Sequence, residues 1–189
     1  MVQGLFIWIF AAMKRVVVSS CYLAPVGHYA AMRGADEVVV DVGEHFVKQT
    51  ARNRCLIEGS GERQKLIIPV EHGDLSHRPM KDVRISDHSP WQRQHAHALK
   101  TYYSGSPFFE FYWPDMEPLY ERRWEWLVDW NEALDELLRR WLFVDAAIAR
   151  AEVYTGQARC REGLSVVDLL FNYGNEAMLK LREIVGTNH

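Results

Sequence analysis

Residues 14–42 read KRVVVSSCYLAPVGHYAAMRGADEVVVDV, and this stretch decides the fold class. Val16, Val17 and Val18 form a continuous β-branched run, and Glu37 to Val42 holds a second. An unbroken apolar run, rather than an alternating one, marks a strand covered on both faces, as in parallel sheets. Pro25 and Gly27 punctuate a turn between the runs, and His28 to Arg33 supplies a short helix. Strand, short helix and strand within about thirty residues make a βαβ unit.

Downstream, Cys55 to Glu58 and Lys65 to Val70 flank Gly59-Ser60-Gly61, the pattern of a hairpin with a longer loop. Val83 and Ile85 carry a further short strand, after a polar surface loop at His72 to Met80. From Ser89 the period becomes helical. Ser89-Pro90-Trp91-Gln92 has the form of a capping box, and Trp91, His95, Ala98, Leu99 and Tyr102 then share one helical face. Ser106-Pro107 repeats the serine–proline start before the aromatic segment Phe108 to Trp113, which Pro114 closes.

Arg122 to Trp141 is the clearest helix. Its apolar belt, with Trp124, Trp126, Trp130 and Trp141, is wide enough to imply burial on two sides or a homo-oligomer contact through residues 122–141. Ser165 caps a helix running to Asn172, with Gly174 as its stop. Asn175 caps a last helix that buries Met178, Leu181 and Ile184. The expected fold is therefore α/β: a mixed, partly parallel sheet from the N-terminal half, with helices packed from the C-terminal half, as one domain over residues 14–187.

The bulk numbers fit such a domain. The chain has 189 residues, 48% hydrophobic and 25% charged, which excludes disorder. A net charge of −3 excludes a protein that seeks nucleic acid or anionic membrane as a whole, so any anion must be held by a local cluster. Three cysteines, Cys21, Cys55 and Cys160, with no C-x-x-C pair, suggest neither a disulfide framework nor a zinc site. The apolar run Leu5 to Ala12 is eight residues, far short of the ~20 that span a bilayer. Lys14 and Arg15 follow it, where a secretory signal carries its charge before. Residues 1–13 are expected to be an extension or a start placed upstream of Met13, and the chain to be cytoplasmic without membrane insertion.

Chemistry centres on the basic block Lys48-Gln49-Thr50-Ala51-Arg52-Asn53-Arg54. If Glu44 to Cys55 is extended, the two-residue period puts Glu44, Lys48, Thr50, Arg52 and Arg54 on one side. Three cations on one face suit phosphate or carboxylate. The competing reading is a solvated strand edge, where such residues deter edge pairing. His95 sits on the apolar face of its helix, as a core histidine or as an acid–base group beside a pocket. Gly27-His28, between strand and helix, suits either a tight turn with a surface histidine or the phosphate-approach turn of an adenylyl-transferring enzyme. Asp168 follows Ser165 by three residues and belongs to the helix cap. Spacings for a metal site, a dinucleotide fold, a P-loop or a serine hydrolase are absent, and neither a metal nor a cofactor is expected.

With these residues laid out, the chain resembles the WbqC-like protein family, in the version common in Bacteroidetes. The resemblance rests on Tyr22-Leu23-Ala24-Pro25-Val26 with Tyr29, and on Lys48-Gln49-Thr50 followed by Arg52-Asn53-Arg54-Cys55 and Ile57. It continues through Trp91, His95 and the segment Tyr102 to Tyr112, and ends on Leu164 to Asn172 with Gly174. Two departures stand out: Ala51 replaces a usual aromatic, and the stretch between Trp141 and Leu164 is shorter than in typical relatives. The family is associated with O-antigen and related surface-polysaccharide biosynthesis. The resemblance implies a transferase that N-acylates or aminoacylates a nucleotide-linked amino sugar. On that reading Lys48, Arg52 and Arg54 hold the diphosphate, Asn53 bonds a sugar or acyl group, and His95 is the base; Tyr22, Trp91, Tyr102 and Ser106 complete the substrate-binding set. The partner is then a nucleotide sugar or another phosphorylated small molecule. The alternative is a non-catalytic binding or assembly protein of the polysaccharide machinery.

Overall fold

The computed structural model describes residues 13–59 and 61–186; expectations for residues 1–12 lie outside them. The two valine runs form β1 (Arg15–Ser19) and β2 (Glu37–Asp41), joined by helix α1 (Val26–Met32). They pair in parallel, Arg15 opposite Glu37 through Ser19 opposite Asp41, as the βαβ reading requires. Val18, Val38, Val39 and Val40 are buried, because α1 covers one face and the rest of the chain covers the other.

The hairpin also forms, as β3 (Arg54–Gly59) and β4 (Glu62–Ile67), antiparallel with Arg54 opposite Ile67 and Gly59 opposite Glu62. The strand expected at Val83 and Ile85 does not. A 3-10 turn spans Met80–Asp82, and the chain then makes single bridges, Ile85 to Val70 and Arg84 to Trp126.

Five further helices follow: α2 (Trp91–Tyr103), α3 (Phe109–Glu121), α4 (Leu127–Trp141), α5 (Val166–Tyr173) and α6 (Ala177–Gly186). The capping box before α2 is not made. No side chain caps this helix, and Gln92 instead donates from Nε2 to the Arg122 carbonyl at 2.6 Å. Pro114 does not close the aromatic segment, since α3 continues through both Pro114 and Pro118. An interior proline costs about 3 kcal/mol. These two are exposed and four residues apart, so the carbonyls they orphan face water. The opposite face buries Phe109, Tyr112, Trp113, Met116 and Tyr120, which outweighs that cost.

The belt of α4 is used up inside the chain. Trp130 is fully buried, edge-on to Trp91, Tyr120 and Trp124 at centroid distances of 5.2, 4.9 and 5.6 Å. Two-sided burial accounts for the centre of the belt, while Trp124, Trp126 and Trp141 are partly buried against the core. Ser165 caps α5 as expected, accepting from the Val167 N–H at 3.4 Å, and Gly174 stops it at φ +54°. A Cβ at Gly174 would strike the Phe108 ring at 2.6 Å.

A fifth strand, β5 (Ala147–Ala151), pairs in parallel with β2 and gives the sheet order β1-β2-β5. Its short sequence Ala-Ile-Ala-Arg-Ala carries little strand signal. From β5 the chain forms a strap over residues 152–165. Thr155 donates to Asp41 Oδ2 from its N–H at 2.9 Å and its hydroxyl at 2.6 Å. Arg159 then bridges Val18 of β1, and Leu164 bridges Leu56 of β3. The strap thus ties the parallel sheet to the hairpin. Among the described residues no helix is long and apolar enough to cross a membrane.

Candidate functional site

Residues 44–53 are turns rather than strand, with Gln49 at φ +63°, so the two-residue alternation does not apply to the basic block. Burial of Glu44 is the physical cause. Its carboxylate lies just beyond the end of β2, and Arg52 folds inward to meet it, Nε to Oε1 at 3.0 Å and Nη2 to Oε2 at 2.6 Å. The Ser19 hydroxyl donates to the same carboxylate at 3.1 Å, and Arg52 also donates to the Thr50 hydroxyl at 3.2 Å. Burial holds the Glu44 carboxyl above its ordinary range, partly offset by the hydrogen bonds from Arg52. This guanidinium is committed to the fold and is not free for a diphosphate.

Asn53 is half committed: Nδ2 donates to the Ile68 carbonyl at 3.0 Å, while the buried Oδ1 has no hydrogen-bond partner among the described residues. Lys48 stands exposed on the turn.

Arg54 is the cation of the block that lines a cleft, of about 140 Å³, together with Leu23, Ala51, Leu56, Lys65 and Glu162. Hairpin register explains how Lys65 arrives there. It faces Leu56, two residues along from Arg54, so the two cations share one face of the hairpin. Arg54 Nη2 is 3.5 Å from Glu162 Oε2, a pair with side-chain exposures of 23% and 63%. Such a half-exposed pair contributes about 0–1 kcal/mol and is readily exchanged for a better anion. The volume is below the ~300 Å³ of a whole-ligand pocket but fits one phosphate or carboxylate group. Ala51 lines the cleft, so an aromatic at this position would occupy part of it.

His95 lies elsewhere, in an aromatic core cluster with Tyr22, Trp91, Tyr120 and Trp130. It is 5% exposed, and burial lowers it to about 4, so the ring is neutral at neutral pH. Nδ1 lies 3.0 Å from the Tyr22 hydroxyl. The Tyr22 hydroxyl also lies 3.0 Å from the Tyr120 hydroxyl, so the ring belongs to a buried His95–Tyr22–Tyr120 chain. The ring is held in the core and does not line the Arg54 cleft. Sequence spacing had placed His95 on an apolar face, and its partners make it a satisfied core histidine.

The remaining candidates are dispersed. Tyr102 covers Gly59 at the end of β3, where any Cβ would come within 2.7 Å of its ring. Ser106 donates to Asn172 at 3.1 Å and ties the α2–α3 turn to α5. His28 is buried rather than on the surface, and burial lowers it to about 4. Asp168 accepts from the Tyr103 hydroxyl at 3.2 Å, beyond any capping role. Sequence reasoning missed Lys65 and Glu162. The first was accessible by counting register outward from Gly59-Ser60-Gly61; the second reaches the cleft through a strap that leaves no periodic trace.

A model of the WbqC-like protein family matches residues 20–161. The uncharacterised protein Rv1507c of Mycobacterium tuberculosis is 28% identical over 109 residues, which cover 57% of this chain and 47% of that protein. The chain thus spans about half the length of the curated relative it matches. No solved structure matches significantly.

Proposed function

The chain belongs to the WbqC-like protein family, and on that premise we propose that it is a transferase whose Arg54 cleft holds the phosphate end of a nucleotide-linked amino sugar. The observation that carries this reading is the meeting of Arg54, Lys65 and Glu162 around a phosphate-sized cleft. The arginine offers a bidentate fork and the lysine a point charge, which together suit a phosphate. Glu162 is the lining carboxylate, and it can receive the proton from an attacking sugar amine. The sugar class and the setting in surface-polysaccharide biosynthesis come from the family resemblance and not from the cleft.

Charge reversal tests the assignment. Arg54→Glu should weaken binding of a nucleotide sugar at least about tenfold by calorimetry, a loss of about 1.4 kcal/mol. Unchanged binding in that variant would remove the cleft as the phosphate site. A screen of nucleotide sugars by thermal shift should precede it, to choose the ligand.

The burial of His95 in the core, away from the cleft, favours a second reading, a non-catalytic binding or assembly protein of the same machinery. Glu162→Gln separates the two. A transferase loses turnover of the bound sugar in this variant, whereas a binding protein shows no turnover before or after the change.

A further inference from the structure

We propose that Cys21 and Cys160 form a reversible dithiol–disulfide site, in which a hydroperoxide oxidises Cys160 and Cys21 resolves it. The two sulfurs lie 3.9 Å apart although 139 positions separate them in the chain. A disulfide needs about 2.05 Å, so closure asks for a movement of about 2 Å. The movement falls to the strap, where Arg161, Glu162 and Gly163 beside Cys160 are exposed, between the bridges of Arg159 to Val18 and Leu164 to Leu56. Cys21 cannot move as easily. It is buried, and the neighbouring Tyr22 N–H is fixed to the Ala51 carbonyl at 2.8 Å.

The surroundings divide the labour between the two thiols. Cys160 is half-buried, whereas Cys21 is buried. A hydrogen bond from Cys21 and the Arg52 charge pull the Cys160 thiol down to about 7, although burial pushes it up. The bond to Cys160 and burial push Cys21 upward. This is the arrangement of an attacking thiolate beside a resolving thiol. Cys55 is buried, and burial pushes its thiol well up, which makes it an internal control.

The chemistry balances. The Cys160 thiolate attacks one peroxide oxygen, the O–O bond breaks, and hydroxide leaves to become water, giving a sulfenic acid. The Cys21 sulfur then attacks the Cys160 sulfur, the S–O bond breaks, and the departing oxygen takes the Cys21 proton as a second water. Two electrons pass from the sulfur pair to the peroxide. Because Cys160 precedes Glu162 by two residues, closure also draws the strap inward at the mouth of the Arg54 cleft. The inference does not depend on what that cleft binds.

The test uses the full reduced chain, hydrogen peroxide and intact mass measurement without reductant. The expected product is lighter by about 2 Da, with one tryptic cross-link between Cys21 and Cys160 and Cys55 still open to alkylation. Dithiothreitol should reverse it. In Cys21→Ser, Cys160 should stop at the sulfenic acid, heavier by about 16 Da and captured by dimedone. In Cys160→Ser, peroxide consumption should fall at least about tenfold. Circular dichroism confirms that both serine variants keep the fold, and the wild-type mass stands without them. Cys160 oxidised in the wild type with no cross-link, a cross-link to Cys55 instead, or no oxidation of either partner would each overturn the proposal.

Discussion

Arg52 and Arg54 are two residues apart in one basic block, yet their fates diverge. Arg52 is 8% exposed and meets a carboxylate that is 3% exposed; Arg54 reaches a cleft and a surface carboxylate. Burial decides the energetics. Removing one partner of a buried pair strands the other charge and costs about 3–5 kcal/mol, whereas a half-exposed pair is worth about 0–1 kcal/mol. Arg52→Ala should therefore lower the urea midpoint strongly, and Arg54→Ala should leave it almost unchanged. Equal midpoints for the two variants would contradict the buried pair. The histidines make a pH prediction. His28 and His95 are lowered by burial from 6.5 to about 4. Between those values the unfolded chain binds more protons than the folded one. Stability is therefore fully present above pH 6.5 and lost as pH falls toward 4, by up to about 3 kcal/mol per histidine. Glu44, held above the ordinary carboxylate range, works in the opposite sense near the bottom of that window. The readout is therefore a difference: His95→Gln should flatten the fall in urea midpoint between pH 7 and 4.5 relative to the parent, as about half of the histidine effect is removed.

At the level of elements, local signals and packing sometimes disagreed, and packing prevailed. Pro114 and Pro118 forbid a helix by propensity, but α3 forms because its inner face carries five buried side chains. The serine–proline starts before α2 and α3 have the spelling of caps, yet neither helix has a side-chain cap. Ser165 is the case where spelling and structure agree. Its hydroxyl accepts from Val167 and donates to the buried Leu23 carbonyl at 2.7 Å, so it holds both α5 and the turn after β1. Ser165→Ala should cost about 2 kcal/mol, a cap plus one buried carbonyl left bare, measurable by thermal or urea unfolding. Trp130 makes the complementary point for α4. Trp130→Ala should cost about 3–5 kcal/mol, while sedimentation velocity should give the same oligomeric state before and after. A change of state would return the belt to the role of an interface.

On the scale of the whole molecule, the strap is the part on which the two sheets and the cleft depend. It lies so close to the end of β2 that a Cβ on Gly43 would come 2.6 Å from the Tyr154 nitrogen and 2.8 Å from the Glu152 carbonyl oxygen. Backbone cannot yield as a side-chain tip does, so Gly43→Ala should lift residues 152–155 and speed amide hydrogen exchange there, with α3 and α4 as unaffected references. Unchanged exchange over the strap would show that it tolerates the displacement. The sequence by itself determined the βαβ unit, the hairpin and most of the helices, because continuous valine runs, a Gly-Ser-Gly loop and 3.6-residue periodicity are local signals that burial enforces. It also determined the family, through motifs from Tyr22 to the aromatic segment ending at Tyr112, within the matched residues 20–161. Only the tertiary structure decided which cations are spent on the fold and which face a cleft. The reason is that Glu44, Lys65, Cys21 and Glu162 reach their partners Arg52, Arg54 and Cys160 through turns, strand register and the strap, and charge pairing between such distant segments leaves no periodic mark in the chain.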